Sequence, residues 1–271
     1  MKPIENFPAD LKPQLRYVLT DIDDTLTVQG RLPAVVFAAM EALQAADIRV
    51  VPITGRPAGW CDHIARMWPV DGLVGENGAF YFHYNHRQKK MTRRYWKSVA
   101  ERRFDRSRLD VIADRVLAAV PGCAVAADQA YREVDLAIDF CEDVPALPLA
   151  AAQAIQTIFE AAGATAKISS IHVNGWFGSH DKLSMSRLMF KEVFKTELDA
   201  VRHQVIFCGD SPNDAPMFAF FPHSVGVANV RAFGALLEAA PTWVTRSEGG
   251  FGFAELATVL LQRCEGFGAD G

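Results

Sequence analysis

Two short apolar runs, far apart in the chain, end in the same way. Tyr17-Val18-Leu19-Thr20 runs into Asp21-Ile22-Asp23-Asp24-Thr25, and Gln204-Val205-Ile206-Phe207-Cys208 runs into Gly209-Asp210-Ser211-Pro212-Asn213-Asp214. Apolar runs of this length read as strands buried on both faces, the kind found in parallel sheets covered by helices. In open parallel sheets, ligands bind beyond the carboxyl ends of the strands. Two such ends, each carrying clustered carboxylates, therefore constrain the fold and the site together.

The intervening segments fit that frame. Pro33 opens a helical pattern to about Ala46, with Val36, Met40 and Leu43 on one face. Val50–Ile53 reads as a second strand, Pro57 as the first turn of another helix and Leu73–Gly75 as a third strand. This βαβ rhythm predicts a parallel sheet with covering helices. From Ala79 the pattern changes. Ala79–Tyr84 is aromatic and β-like, and residues 87–108 are strongly basic. A helix is expected over Leu109–Val120, strands over Cys123–Ala127 and Val134–Phe140, a helix from about Leu147 to Ala162 and a strand over Thr165–Val173. Then the first rhythm returns, with helices at Lys182–Phe194, Arg231–Ala239 and Ala254–Arg263 and short strands at Ser224–Ala228 and Trp243–Thr245. The expected architecture is α/β: a Rossmann-like parallel-sheet core formed by residues 1–83 and 179–271, with an inserted α+β module at 84–178. Residues 1–15 read as a surface leader, and the linkers fall near Phe82–Asn85 and Asn174–Ser179.

The chain has 271 residues and a net charge of −4, which disfavours a general nucleic-acid binder. No apolar run reaches the ~18–20 residues that span a bilayer. The N-terminus lacks the apolar core of a secretory signal. Five widely spaced cysteines without a CxxC predict reduced thiols in a cytoplasmic protein. Oligomeric state is not legible. Met185, Met189, Phe218, Phe220, Phe221 and Trp60 read as core.

Asp21, Asp23, Asp210 and Asp214 converging without partners would repel one another, and a hard divalent cation such as Mg²⁺ relieves that; singly, each reads equally as a turn or helix cap. Thr54-Gly55 after a strand suits a phosphate at a helix N-terminus, or a plain cap. Lys182 opens a helix, against the macrodipole, which favours an anion facing it; a solvated lysine is the alternative. The basic stretch is a solvated face or a field drawing in phosphorylated substrates.

Taken together and in order, Asp21-Ile-Asp23-Asp24-Thr25, Thr54-Gly55-Arg56, Lys182 and Gly209-Asp210-Ser-Pro-Asn213-Asp214 resemble the four motifs of the haloacid dehalogenase-like (HAD) hydrolases. The insert lies where a C2-type cap would, and Glu76-Asn77-Gly78-Ala79 resembles the C2B branch. Asp24 departs from the glycine usual there, leaving the local loop geometry open. The resemblance implies a Mg²⁺-dependent phosphatase of a small phosphorylated metabolite, a sugar phosphate first. Asp21 would be the nucleophile, forming an aspartyl-phosphate, and Asp23 the acid and base. Lys182, Thr54 and Gly55 would hold phosphate. Asp21, Asp23 (through its carbonyl), Asp210 and Asp214 would serve the metal, with Asn213 in support. Arg56, His172 and Asn174 would border the substrate; otherwise Asn174-Gly175 is a turn and His172 a surface residue. A phosphomutase, or a non-catalytic sugar-phosphate-binding protein, would share these motifs.

Overall fold

The computed structural model describes residues 1–262. Arg263, the expected end of the last helix, and Cys264 lie outside the described residues. The elements are β1 (Lys2–Pro3), β2 (Tyr17–Thr20), α1 (Ala34–Ala45), β3 (Arg49–Pro52), α2 (Ala58–Met67), β4 (Leu73–Gly75), β5 (Phe80–Asn85), β6 (Lys90–Tyr95) and α3 (Val99–Ala119). There follow β7 (Ala124–Val125), β8 (Leu136–Asp139), α4 (Leu149–Ala161), β9 (Thr165–Ile168), β10 (His172–Trp176), α5 (Lys182–Met189), α6 (Leu198–Val201), β11 (Val205–Gly209), α7 (Ala215–Phe220), β12 (His223–Gly226), β13 (Trp243–Val244) and α8 (Gly249–Leu261).

The main sheet has the order β1-β13-β12-β11-β2-β3 and is parallel throughout. Residues alternate between its faces. Val18, Val50, Ile206 and Cys208 pack with Val36, Met40 and Leu43 of α1, Ile64 of α2 and Phe253 of α8. Leu19, Val51 and Phe207 pack with Met185 and Met189 of α5 and Phe218 of α7. Helices thus cover both faces, as the unbroken apolar strands require. β2 lies inside the sheet, between β11 and β3, so the two acidic turns emerge side by side.

A single parallel bridge, Ile53 to Val74, carries the chain into an antiparallel β4-β5-β6 sheet. Phe80 and Phe82 of that hairpin are buried in the core cluster, with Tyr95 packed against it. The inserted antiparallel sheet, β7-β8-β10-β9, has its own core: Leu109, Ile112 and Val116 of α3, Ile155 and Phe159 of α4, and Leu136, Ile138 and Val173 from the strands.

Several local expectations differ from the observed structure. The N-terminal segment is no surface leader: Ile4, Phe7 and Leu15 are buried, and β1 pairs with β13. α3 starts at Val99, well before Leu109, because Ser98 and Glu101 form a reciprocal capping box and the arginines after it face solvent or the seam. The single strand expected over Thr165–Val173 is a hairpin, broken at Ser169, where the hydroxyl accepts from the His172 amide at 3.0 Å. Asn174-Gly175 is neither turn nor linker but the middle of β10. Gly175 is required there because a Cβ would lie 2.2 Å from the Phe159 ring. Residues 228–236 form 3₁₀ turns, not an α-helix, and α8 begins at Gly249 instead of Ala254. Met185, Met189, Phe218 and Phe221 are core as expected, but Trp60 is 44% exposed and lies under the Arg56 guanidinium, 4.5 Å away.

Candidate active site

The turn after β2 delivers Asp21 and Asp23. Asp24 takes a left-handed φ of +55°, the conformation a glycine would adopt, and aspartate tolerates it better than most residues. Its carbonyl accepts from the Asn229 side-chain amide at 3.0 Å, which fixes the turn. The turn after β11 delivers Asp210 and Asp214. Asp210 Oδ1 accepts from the Thr25 hydroxyl at 3.0 Å, and Oδ2 lies 3.3 Å from Asn229 Nδ2. Asp214 Oδ2 accepts from the Asp210 amide at 3.1 Å. Gly209 leaves room for that carboxylate, since a Cβ there would sit 2.5 Å from it.

Lys182, at the start of α5, lies between the two turns. Its Nζ donates to Asp21 Oδ1 and Asp214 Oδ1, both at 2.8 Å, and is buried. Asp181 caps the helix by accepting from the Ser184 amide, which leaves Lys182 to face inward. Side-chain oxygens of Asp21, Asp210 and Asp214 lie within 4.8 Å of one another. Burial, opposed by Lys182 and reinforced by Asp214 and Asp23, pushes the Asp21 carboxyl up to about 8. Burial and then Asp214 and Asp21 raise Asp210 well above the usual carboxylate range. Burial alone would lower Lys182, but Asp21 and Asp214 hold it above its ordinary value. One ammonium among three buried carboxylates leaves surplus negative charge on hard oxygen donors. That donor set fits a divalent cation that prefers oxygen. The fit is best for Asp21 and Asp210, because both Asp214 oxygens already serve Lys182 and backbone amides.

On the other side, Thr54 is fully buried after β3. Its Oγ1 accepts from the Arg56 amide at 3.0 Å, which leaves its own proton free to donate. Gly55 abuts Asn77, and its carbonyl accepts from Arg132 Nη1 at 2.8 Å. Arg56 Nε reaches both Asp23 carboxylate oxygens at 2.9 and 3.0 Å. Asn213 Oδ1 accepts from the Ser211 hydroxyl at 2.8 Å, and the residue lines the cleft without bonding Lys182 or Asp210.

The inserted module closes over this cleft, leaving a cavity of about 20 Å³. His172 and Asn174 of β10 line it and are buried, so His172 is not a surface residue. The sequence reading missed Glu142 and Arg132 here, and named Glu76 only as part of the Glu76-Asn77-Gly78-Ala79 motif. Glu142, just past β8, reaches across to Arg56 (Oε1 to Nη2, 2.7 Å). His172 Nε2 lies 3.0 Å from Glu142 Oε2, outside hydrogen-bond alignment. Burial opposes ionisation of Glu142, but His172 and Arg56 outweigh it and hold its carboxyl down at about 2. Arg132, wholly buried, is forked between Asp128 and Asp135. Glu76, in the core, accepts from the amides of Ala58, Glu133, Val134 and Asp135 at 2.7–3.1 Å. Nothing in the local sequence flags Glu142 or Arg132, because their partners come from distant segments. Among the described residues, Cys61, Cys123, Cys141 and Cys208 are free thiols, and no helix is long and apolar enough to cross a membrane.

No family model and no curated protein matches the chain. Solved structures do. A protein of Thermoplasma acidophilum is 17% identical over 91% of this chain and 98% of its own, with a TM-score of 0.68. A haloacid dehalogenase-like hydrolase from Bacteroides thetaiotaomicron is 14% identical over 90% and 98%, with a TM-score of 0.62. The sucrose-phosphatase of Synechocystis sp. PCC6803, solved with sucrose and phosphate, is 13% identical over 91% and 98%, with a TM-score of 0.60. With its parallel core, its inserted antiparallel module and these neighbours, the chain has the fold of the haloacid dehalogenase-like hydrolases.

Proposed function

We propose that the chain is a Mg²⁺-dependent phosphatase, a phosphoric monoester hydrolase acting on a small phosphorylated metabolite, with sugar phosphates the first class to test. The observation that carries this reading is the Lys182 ammonium, buried between Asp21 and Asp214 beside Asp210, at the carboxyl ends of adjacent central strands. The likeness to a sucrose-phosphatase fold supports the substrate class.

In this reading, the free Asp21 oxygen attacks phosphorus. The bond from phosphorus to the leaving oxygen breaks as Asp23 delivers a proton to that oxygen. An aspartyl-phosphate remains. Asp23, now ionised, takes a proton from a water, which attacks the phosphorus and releases phosphate from Asp21. The Thr54 hydroxyl, the Gly55 amide and Lys182 hold the phosphoryl oxygens, and Arg56 fixes the direction of Asp23. Asp21, Asp210 and the Asp23 carbonyl would hold Mg²⁺, with Asp214 acting through Lys182 and Asn213 supporting the turn. When bound, the ion neutralises charge between the carboxylates and the phosphate dianion.

The division of labour is part of the proposal: residues 1–83 and 179–271 carry the chemistry, and 84–178 form a specificity cap. The packing of the β5–β6 hairpin on the main core supports drawing the hinge nearer the Ser98-capped helix. The test is phosphate release from a panel of sugar phosphates, with Mg²⁺ and with EDTA, for wild type and Asp21→Asn. Release that needs both Mg²⁺ and Asp21 supports the reading, and release insensitive to either overturns it.

A further inference from the structure

The cavity between core and cap lies beyond Asp23, where the leaving group of a phosphate ester attached at Asp21 must sit. Two arginines line it, Arg56 and Arg132. Both have their donors already engaged. Arg56 Nε reaches both Asp23 oxygens, Nη2 reaches Glu142 Oε1, and Nη1 faces Glu142 Oε2 at 3.3 Å and Asp128 Oδ2 at 3.7 Å. Arg132 uses Nε and Nη2 on Asp128, and Nη1 on Asp135 and the Gly55 carbonyl. Each guanidinium is already shared between carboxylates, so an anionic leaving group would have to displace one of them.

Glu142 tips the balance further. It stands behind the lining residues Arg56 and His172, 2.7 and 3.0 Å from them, and its backbone is fixed because the buried Asp139 carboxylate accepts from the amides of Cys141, Glu142 and Asp143 at 2.8–2.9 Å. Its side chain keeps 27% exposure, so carboxylate lone pairs remain to accept a hydroxyl or an ammonium. A second carboxylate brought beside Asp23 and Glu142 meets like charge, which disfavours it.

Resting on the phosphatase reading above, we infer that Glu142 is a specificity-determining residue: the enzyme takes phosphate esters of neutral polyols or amino alcohols and rejects those whose leaving group carries a carboxylate.

Matched pairs differing only in CH₂OH against COO⁻ test this: sorbitol 6-phosphate with 6-phosphogluconate, and sn-glycerol 1-phosphate with D-3-phosphoglycerate. Wild type should prefer the polyol member of each pair by about tenfold or more in kcat/KM. The ratio should fall toward parity in Glu142→Gln. Equal or greater turnover of the acids by wild type overturns the inference, since an anion would then be exchanging for Glu142 on Arg56. A ratio unmoved in Glu142→Gln also overturns it. If wild type releases phosphate from none of the four, the phosphatase reading is still decided separately, by the panel of sugar phosphates above. Calorimetric binding of the same pairs to Asp21→Asn then decides the inference: tighter binding of the polyols upholds it, and any other order overturns it.

Discussion

Two buried carboxylates, Asp21 and Glu76, meet opposite fates in this molecule. Both lie in the core and both are raised, Asp21 to about 8 and Glu76 to about 7, with burial the first cause of each. Glu76 has four backbone amides converging on it and ties the core to the cap residues 133–135. Asp21 has one hydrogen-bonded ammonium and two acidic neighbours. A buried charge surrounded by donors is structural. A buried charge left short of them stores an unmet demand that a ligand or ion satisfies. The contrast extends outward: each guanidinium of Arg132 and Arg56 is forked between two or more carboxylates that accept its hydrogen bonds directly, while around Asp21 three carboxylates share one ammonium.

The contrast can be broken or sharpened by substitution. Asp21→Asn should cut phosphate release by at least about 10³-fold while leaving the far-UV spectrum and thermal midpoint close to wild type. A large loss of stability would mean that Asp21 is structural after all. Glu76→Ala should do the reverse. It strands several buried amides, and denaturant titration should show a loss of about 3–5 kcal/mol. Glu76→Gln, which keeps an acceptor oxygen, should lose less. Mg²⁺ should raise the thermal midpoint of wild type by mass action, with a gain near 2–3 kcal/mol at about 100 times Kd, and this gain should vanish in Asp210→Asn.

The smallest effect tests a histidine that neither region uses. His180 is buried, stacked on Trp176, and burial with the nearby Lys97 lowers it to about 4. The unfolded chain binds a proton near pH 6.5 and the folded one near 4, so stability falls as pH drops through that window. The loss should be on the order of 1–3 kcal/mol, and His180→Asn should flatten the corresponding part of the pH–stability curve.

The same division explains what the sequence could disclose. The motif residues Asp21, Asp23, Thr54, Lys182, Asp210 and Asp214 each sit at the end of a strand or the start of a helix, where pattern and chemistry coincide in a few consecutive letters. The parallel core was legible for the same reason, since strands buried on both faces are unbroken apolar runs. The seam was not. Glu142 meets Arg56 across 86 positions, and Glu76 meets Val134 across 58. No local period encodes such pairings. The start of α3 was legible but masked: the Ser98–Glu101 box is a plain start signal, and the run of arginines around it hid the helix. The buried N-terminal segment was hidden differently, since Ile4 and Phe7 are isolated among polar residues and prolines and find their cover only on the finished sheet.

The strand order carries a consequence for how the molecule comes into being. β2 is made early, yet its neighbour β11 follows only after the whole inserted module has been synthesised, and Thr25 and Asp210 meet across 185 positions. A nascent chain therefore holds its first acidic turn for most of synthesis without the second. The mutual repulsion of the carboxylates arises only when β11 docks, late and through contacts of long sequence separation, which are slow to form. On the proposed reading, Mg²⁺ would relieve that repulsion as β11 docks, so refolding should be faster with Mg²⁺ than with EDTA in wild type and indifferent to it in Asp210→Asn.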